Sequence, residues 1–384
     1  MNRSHLRLIP PLLLAALLAF LLAGLAAAGG PGPGPASVPL LDPPAPVNIT
    51  FDSDVLSVAV QGDYAYVGLE SGLVILDITN PLQPVRRGFL DTNAGLPPHF
   101  VGSPCCLQIE GDLLVISNNT YIATVDVSDP AHPQLLSPYQ QYSNLAIPFR
   151  LLNKYLYIVE GGRFYIIDLH DPTHPREIYR LDDQHLIGDM KSIDAEVNSL
   201  DGHTYVYMGG RRWCFPSHGC VGYPLLSWDV SDPLHPEVVW KNMTTNYTST
   251  QVEDGYLYLA YYQPDMAIFD VTHPQSPQHV GGYFVSDPST SIIFAEVTHD
   301  RLAAIDQRGE TLFLVDVADR THPREQSVHQ GLALDSFSIG LAYEKNCVLA
   351  AEGERGLHIL CEAQIHPLPP VQVWLPMVQR LGSG

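Results

Sequence analysis

The segment GGRRWCFPSHGCVG, residues 209–222, holds the densest group of side chains that could bind a ligand. Arg211 and Arg212 stand side by side in a chain that has 20 basic and 41 acidic residues, and Trp213 follows them directly. A guanidinium beside an aromatic ring suits a carboxylate, a sugar acid or a protein hot spot. The alternative is structural: the arginines offset the acids of residues 182–189, and the indole only packs the insertion.

Three histidines and an aspartate from separate segments form a second candidate group. His99, His185, His218 and Asp189 could meet around a central opening and ligate a metal ion, although they lack the local spacing of a metal site. Many of the 16 histidines stand before proline in turn-like sequences, which favours a role in turns. We therefore predict no metal and no cofactor. These four residues and the arginine segment are kept as candidate ligand-binding residues.

Known catalytic signatures are absent from the sequence. It contains no GxSxG elbow, no HExxH pair, no P-loop and no EF-hand loop. The adjacent acids Asp182 and Asp183 make a poor acid–base pair, because neighbouring residues on a loop seldom converge on one substrate atom. The sequence favours a non-catalytic protein, and we name no catalytic residue.

Residues 1–28 have the three parts of an export signal. Basic residues precede an apolar run from Leu12 to Leu25, and the small residues 26–28 follow it. The run is close to the minimum length of a membrane span, so an anchor is the rival interpretation. The prolines ahead of the run and its Ala/Gly-rich end favour cleavage. We expect a secreted or cell-surface protein without a membrane span once the signal is removed.

The formal net charge of −21 bears on the choice of partner. Such a surface repels phosphate backbones, so nucleic-acid binding is not expected. We predict an extracellular protein or glycan as the partner, and a monomeric protein.

Six cysteines in an exported chain indicate disulfides. Cys214 and Cys220 bracket a short loop and are expected to close it. Cys347 and Cys361 lie on successive predicted strands, equidistant from the turn between them, so in register they would face each other. The adjacent pair Cys105–Cys106 could form a vicinal disulfide or stay reduced.

One pattern recurs along the chain: an alternating apolar run, then Asp, an apolar residue, a small residue, Asp or Asn, Pro, two residues and Pro. It reads LVILDITNPLQP, IATVDVSDPAHP, FYIIDLHDPTHP, LLSWDVSDPLHP, MAIFDVTHPQSP and LFLVDVADRTHP, with a degenerate seventh copy GLHILCEA. The anchor residues are Asp77, Asp126, Asp168, Asp229, Asp270, Asp316 and Cys361. Their separations of 41 to 61 residues suit a four-stranded propeller blade. The pattern predicts an all-β, seven-bladed β-propeller with four antiparallel strands in each blade.

Each repeat contains four strand signals separated by turn residues. In the first repeat the predicted strands are Val55–Val60, Ala65–Glu70, Leu73–Ile78 and Val85–Leu90. The first turn of the repeats holds residue types that tolerate positive φ. These are Gly62-Asp63, Gly111-Asp112, Asn153-Lys154, Asp254-Gly255 and His299-Asp300.

The Asp-x-x-Asp-Pro-x-x-Pro element invites comparison with calcium ligands, but a structural role is favoured. An aspartate that ends a strand can accept backbone hydrogen bonds in an Asx-turn, and proline then ends the ladder. A residue that recurs in every blade maintains the blade. Functional residues are expected to break the repeat.

The string LVILDITNPLQP, preceded by GDYAYVGLESG, resembles the LVIVD repeat family of exported bacterial and archaeal proteins. The resemblance extends over roughly Asp54 to Ala363 and implies a β-propeller. It supplies no agreed activity and no shared catalytic residue. The departures at Arg320, which replaces a proline, and at Cys361 concern only turns at blade ends.

The domain boundaries follow from the repeats and the chain composition. The Pro/Gly-rich residues 29–46 are a semi-extended linker, residues 47–365 the propeller and residues 366–384 a tail. Blade seven lacks a fourth strand, and we predict that Val47–Phe51 supplies it; Val371–Leu375 is the competing segment. The tail could aid surface retention or pack under the propeller.

Four antiparallel strands sort their connections onto two faces. First-to-second and third-to-fourth turns lie on one face, here called the turn face; the remaining connections lie on the opposite, loop-rich face. The long segments all fall on the loop-rich face: residues 91–104, 137–147, 182–191 and 211–224. Because loops on a rigid scaffold concentrate binding residues, we predict a non-catalytic binding or scaffold protein that uses this face. The alternative is an extracellular hydrolase or lyase with a site at the central opening near blades two to four.

Overall fold

Seven four-stranded antiparallel sheets follow one another along the chain and close into a ring in the computed structural model. The structure describes residues 46–91, 106–117, 121–140, 148–211, 213–215, 219–221, 225–242, 247–261, 265–285, 292–332 and 340–362. Residues 43–384 form one unit, and the description concerns this unit alone. The fold predicted from the repeats is confirmed.

The chain enters through a short strand, β1 (Val47–Ile49). Blade one comprises β2 (Val55–Gln61), β3 (Tyr64–Leu69), β4 (Gly72–Asp77) and β5 (Val85–Asp91). Blade two comprises β6 (Cys106–Glu110), β7 (Leu113–Ser117), β8 (Tyr121–Asp126) and β9 (Gln134–Gln140). Blade three comprises β10 (Phe149–Leu152), β11 (Tyr155–Glu160), β12 (Arg163–Asp168) and β13 (Arg176–Asp182).

Blade four comprises β14 (Asp189–Val197), β15 (Thr204–Arg211), β18 (Leu225–Asp229) and β19 (Glu237–Asn242), and a separate hairpin, β16 (Trp213–Phe215) and β17 (Gly219–Val221), is inserted after β15. Blade five comprises β20 (Tyr247–Glu253), β21 (Tyr256–Tyr261), β22 (Asp265–Asp270) and β23 (Gln278–Phe284). Blade six comprises β24 (Ile292–Thr298), β25 (Arg301–Asp306), β26 (Thr311–Asp316) and β27 (Arg324–Gln330). Blade seven comprises β28 (Leu341–Glu344), β29 (Cys347–Ala351) and β30 (Leu357–Cys361), with β1 as its outer strand.

The ring closes as predicted, through the N-terminal segment. β1 pairs antiparallel with β30, and Val47 lies opposite Ile359 and Ile49 opposite Leu357. The edge that blade seven would otherwise expose is therefore covered. The competing segment Val371–Leu375 lies outside the described residues.

The apolar core is divided into layers between neighbouring blades. Seven clusters of buried side chains occupy the seven blade–blade interfaces. Between blades three and four, for example, the Phe164 ring lies 5.2 Å from the Trp228 ring. The second and third strands are buried on both sides, which explains their runs of Val, Ile, Leu and Tyr. Each fully buried side chain of this size contributes about 1.5–3 kcal/mol.

Side chains at the end of several inner strands join each blade to the next. Gln61 of β2 exchanges two hydrogen bonds of 2.9 Å with the backbone of Gly111 in blade two. Glu110 of β6 accepts from the amides of Asn153 and Lys154 in blade three at 2.7 and 2.8 Å. The same contact recurs twice more. Glu196 accepts from the amide of Gly255, and Glu253 accepts from the amide of His299.

First-turn residues adopt the positive φ that their types predict. Asn153 and Lys154 have φ of 54° and 60°, and Gly62 has φ of 60°. Strand limits differ slightly from prediction: β3 begins at Tyr64 because Tyr64 pairs with Asp77, and Ile78 falls outside β4. Its amide instead bonds the carbonyl of Asp63, which ties the two turns of the blade together.

The two residues that depart from the repeat, Arg320 and Cys361, both make contacts that stabilise the fold. Arg320 donates to Asp300 Oδ1 at 2.8 Å and to the His299 carbonyl at 3.1 Å, and its guanidinium lies over the Tyr256 ring. The side chain thus ties together the two turns of blade six and contacts blade five. Cys361 takes the place of the anchor aspartate and forms a disulfide with Cys347, as the predicted register allowed.

Candidate functional site

The repeated aspartates of the turn face accept hydrogen bonds within their own turns. Each anchor carboxylate accepts a hydrogen bond of 2.8–3.0 Å from the amide two residues later. Bonds from Ser128 lower the pKa of Asp126, and bonds from Thr79 and Arg87 lower that of Asp77. Among the described residues no group of three or more His, Cys, Asp or Glu side chains could hold a metal ion. The predicted Asx-turn role is confirmed.

Histidines of the His-Pro dipeptides also serve these turns. The Nδ1 atoms of four such histidines lie 2.8–3.3 Å from the carboxylate three residues earlier. The pairs are His132 with Asp129, His174 with Asp171, His235 with Asp232 and His322 with Asp319. These side chains are largely exposed, and their role in turns agrees with the interpretation from sequence.

On the loop-rich face, the inserted hairpin carries the arginine–aromatic segment. Trp213 and Phe215 belong to β16, and Cys214 lies directly opposite Cys220 in β17. Directly opposed residues of an antiparallel pair are close enough for a disulfide. The Cys214–Cys220 bond itself stays a prediction, because the description covers only the backbone there. Cys105 lies outside the described residues, so the state of Cys105–Cys106 is also untested.

The structure brings part of the candidate group together. Arg211, the last residue of β15, lies opposite Asp189, the first residue of β14. The Asp189 carboxylate forms an ion pair of 2.9 Å with Lys191. His185 is exposed in the segment between blades three and four, where its amide bonds Asp183 Oδ1. His99, Arg212, His218 and the side chains of Arg211 and Trp213 lie outside the described part, so the predicted ligand site remains a prediction.

The acids expected to offset the arginines already have other partners. Asp182 accepts from Arg163 Nε at 2.6 Å and from Arg180 Nε at 2.8 Å. Asp183 accepts from the amides of His185 and Leu186. Asp189, which pairs with Lys191, is the one of the three acids that lies opposite a hairpin arginine in the sheet register.

A charged cluster in the central opening was not found by sequence reasoning. The innermost strands of the blades line the opening. At one equivalent position they carry Gln108, Arg150, Asp194, Gln251 and Glu296 in blades two to six. Arg150 Nη1 donates to Gln108 Oε1 at 3.1 Å, and Arg150 Nε lies 2.9 Å from Asp194 Oδ1. The cluster thus joins three consecutive blades.

The carboxyls of this cluster are shifted towards their neutral forms. Burial raises the pKa of Asp194, against the opposing effects of Arg150 and of amide bonds from Val252 and Ala195. Burial and then the charge of Asp194 raise the pKa of Glu296 to about 8. A signal existed in the sequence: Arg150, Asp194 and Glu296 are charged residues inside apolar strands, at one position that differs from blade to blade.

A groove of about 790 Å³ lies on the turn face between blades two and three. Its apolar lining comes from Leu113, Leu136, Leu169 and Pro172. Glu110, Asp112, Asp126 and Lys154 line it as well. The groove therefore combines an apolar surface with an excess of negative charge.

The comparisons with known proteins agree with this architecture. The model of the LVIVD repeat family matches residues 53–92, 102–141, 150–183 and 248–291. The described residues contain no helix long and apolar enough to cross a membrane. A search of curated proteins found no match.

Several solved structures share the fold at low sequence identity. The computationally designed protein Ika8 is 11% identical over 81% of this chain and 97% of its own, with a TM-score of 0.53. Sqt1 of Saccharomyces cerevisiae is 9% identical over 84% and 98%, with a TM-score of 0.54. A complex of KlAtg21 with the coiled-coil of AgAtg16 is matched with 10% identity over 82% and 95% and a TM-score of 0.57. At such identities the likeness concerns the fold alone.

Proposed function

Because the chain is a seven-bladed β-propeller that carries LVIVD repeats, we propose that it is a non-catalytic binding scaffold outside the cytoplasm. Its partner is an extracellular protein or glycan, and the loop-rich face binds it. The hairpin β16–β17 and the candidate residues Arg211, Arg212, Trp213 and His218 form the centre of this surface.

The difference between the two faces supports this proposal most directly. The turn face consists of short turns whose aspartates and histidines bond within the same turn. The loop-rich face carries the inserted hairpin and the long connections. A surface whose polar groups are already bonded to each other has fewer groups left for a ligand.

Two observations favour a location outside the cytoplasm. The disulfide Cys347–Cys361 is of a kind that persists in oxidising compartments. The first 28 residues have the composition of an export signal. Among proteins of similar fold, KlAtg21 is described in a complex with a coiled-coil, which illustrates a propeller used for protein binding.

The test is a binding screen with two double variants. Wild type and Arg211→Ala/Arg212→Ala are applied to glycan arrays and to extracellular protein fractions. The matched control is Arg87→Ala/Arg176→Ala, which removes two arginines that pair with anchor aspartates on the turn face. We expect the hairpin variant to lose at least about tenfold in affinity, as for a central arginine of an interface, and the control to bind like wild type. Equal binding by all three proteins contradicts the proposed face.

The charged cluster favours a second candidate function. A hydrolase or lyase with its site at the central opening would need convergent charged groups, and Arg150, Asp194 and Glu296 supply an arginine and two carboxyls there. A carboxyl that stays protonated near neutral pH is suited to general acid catalysis. The described cluster offers no serine or cysteine nucleophile, which leaves acid–base chemistry as the option.

An activity screen separates the two candidates. Wild type and Glu296→Gln are incubated with libraries of glycosides, esters and uronate-containing polysaccharides. Turnover by wild type that falls about 100-fold in the variant supports the enzyme. Absence of turnover, together with specific binding in the array experiment, supports the scaffold.

A further inference from the structure

The groove between blades two and three has an apolar lining, and the tail of the chain contains an apolar segment. We propose that residues 371–378, VQVWLPMV, bind in this groove in an extended conformation. The occupant is thus a segment of the same chain, and the interaction is intramolecular. This inference concerns the turn face and is independent of the proposed function.

The first argument is that the other role for this segment is already filled. Val371–Leu375 is the sequence alternative to Val47–Phe51 as the outer strand of blade seven. In the structure Val47–Ile49 pairs with β30, so that edge is occupied. An eight-residue apolar segment left in water would expose a patch of the kind that soluble proteins normally cover.

The second argument is where the propeller ends. The Glu362 amide bonds the carbonyl of Asn346 in the first turn of blade seven, which places Glu362 on the turn face. Blade seven adjoins blade one, and blade one adjoins blade two. The groove opens on the same face, roughly two and a half blades away, which is about 25 Å at the usual spacing of about 10 Å between packed sheets.

The third argument is the length of the connecting segment. Residues 363–370, AQIHPLPP, contain three prolines, a composition that favours an extended spacer. At about 3.1 Å per residue the spacer reaches about 25 Å. The reach of the spacer therefore about equals the distance from Glu362 to the groove, so Val371 can lie beside the groove.

The fourth argument is chemical complementarity. Leu113, Leu136 and Pro172 provide an apolar surface for the valines, leucine and tryptophan of the segment. Asp112 and Asp126 lie in the same lining, and Arg380 stands two residues after the segment. A guanidinium near two carboxylates is attracted in a chain of net charge −21.

Hydrogen exchange of the full-length protein tests the proposal. We compare wild type with Val373→Asp/Leu375→Asp and with the matched control Gln372→Asp/Gln379→Asp, which adds the same charge at polar positions of the tail. Occupation predicts that amides in residues 111–114 and 169–173 exchange about tenfold faster in the first variant only. Equal exchange in all three proteins overturns the proposal.

Photo-crosslinking identifies the occupant without relying on a destabilising substitution. The crosslinking residue p-benzoylphenylalanine is placed at position 374, and ¹⁵N-labelled and unlabelled chains are mixed in equal amounts. We expect crosslinks to peptides that contain Leu113, Leu136 or Leu169, all within chains of one isotope. Mixed-isotope crosslinks would assign the groove to a second copy and overturn the intramolecular assignment. Crosslinks elsewhere on the propeller would overturn the site.

Discussion

Acidic residues of the turn face and of the central opening differ in their surroundings. Asp126 is half-exposed and accepts hydrogen bonds from the residue two positions on, within its own turn. Asp194 is buried, and its partners Arg150 and Val252 belong to the blades on either side. The first kind recurs from blade to blade, whereas Arg150, Asp194 and Glu296 each occur once at a position that holds glutamine in blades two and five.

The difference separates residues that maintain a blade from residues that distinguish one blade from another. The hydrogen bonds from Ser128 lower the pKa of Asp126, so this aspartate is charged and bonded at neutral pH. Glu296 has its pKa raised to about 8, so the folded protein holds it mainly protonated at neutral pH. Groups that keep an uncommon protonation state are candidates for function, whereas groups satisfied by their own turn are structural.

The largest expected effect follows from breaking the buried ion pair. Arg150→Ala leaves the Asp194 carboxylate, whose side chain is 3% exposed, without its cationic partner. We expect a loss of about 3 kcal/mol in the free energy of unfolding, measured in urea. Arg87→Ala breaks an exposed pair of the turn face and is expected to leave the unfolding midpoint unchanged.

A double variant shows whether the cost of Arg150→Ala comes from the uncompensated charge. Arg150→Ala/Asp194→Asn should recover most of the stability lost in the single variant. If Arg150→Ala is no more costly than Arg87→Ala, the contrast between the two regions does not hold.

Glu110 offers an intermediate case, since its carboxylate joins two blades on the turn face. Glu110→Ala removes the acceptor of the Asn153 and Lys154 amides, which water can partly replace. We expect a loss of about 1.5 kcal/mol. Glu110→Gln keeps one acceptor oxygen and should lose less than half of that amount in the same urea experiment.

Replacing a single turn aspartate should lower the free energy of unfolding by less than Glu110→Ala does. Asp126→Ala removes the acceptor of the Ser128 amide and should cost about 1 kcal/mol in unfolding free energy. Asp126→Asn retains an oxygen at that position and is the matched control. A cost above that of Arg150→Ala would reverse the ranking.

The last expected effect concerns the pH dependence of stability rather than stability at one pH. Because the folded pKa of Glu296 lies near 8 and its ordinary value is 4.5, the folded state binds more protons between these values. Its contribution to stability is present below pH 4.5 and is lost as the pH rises to about 8. Glu296→Gln should therefore show a smaller fall in stability from pH 5.5 to 7.5 than wild type. Parallel curves for the two proteins would show that Glu296 titrates normally.

The fold could be predicted from the repeat because each copy contains the residues that determine its own strand ends and turns. Asp77 and its equivalents end a strand, Asn153 and Lys154 tolerate a left-handed turn, and Cys347 and Cys361 are placed symmetrically about a hairpin. β1 was predictable because blade seven lacked one strand. The central cluster was not predicted, because Arg150 and Asp194 are far apart in sequence and meet only when consecutive blades stand side by side.

The antiparallel pairing of β1 with β30 also fixes how force enters the molecule. Val47 lies towards the end of β30 that carries Cys361, so β1 begins on the turn face. A pull on the N-terminal end of β1 would act on the three residue pairs between β1 and β30, so this short contact is where tension would first open the ring.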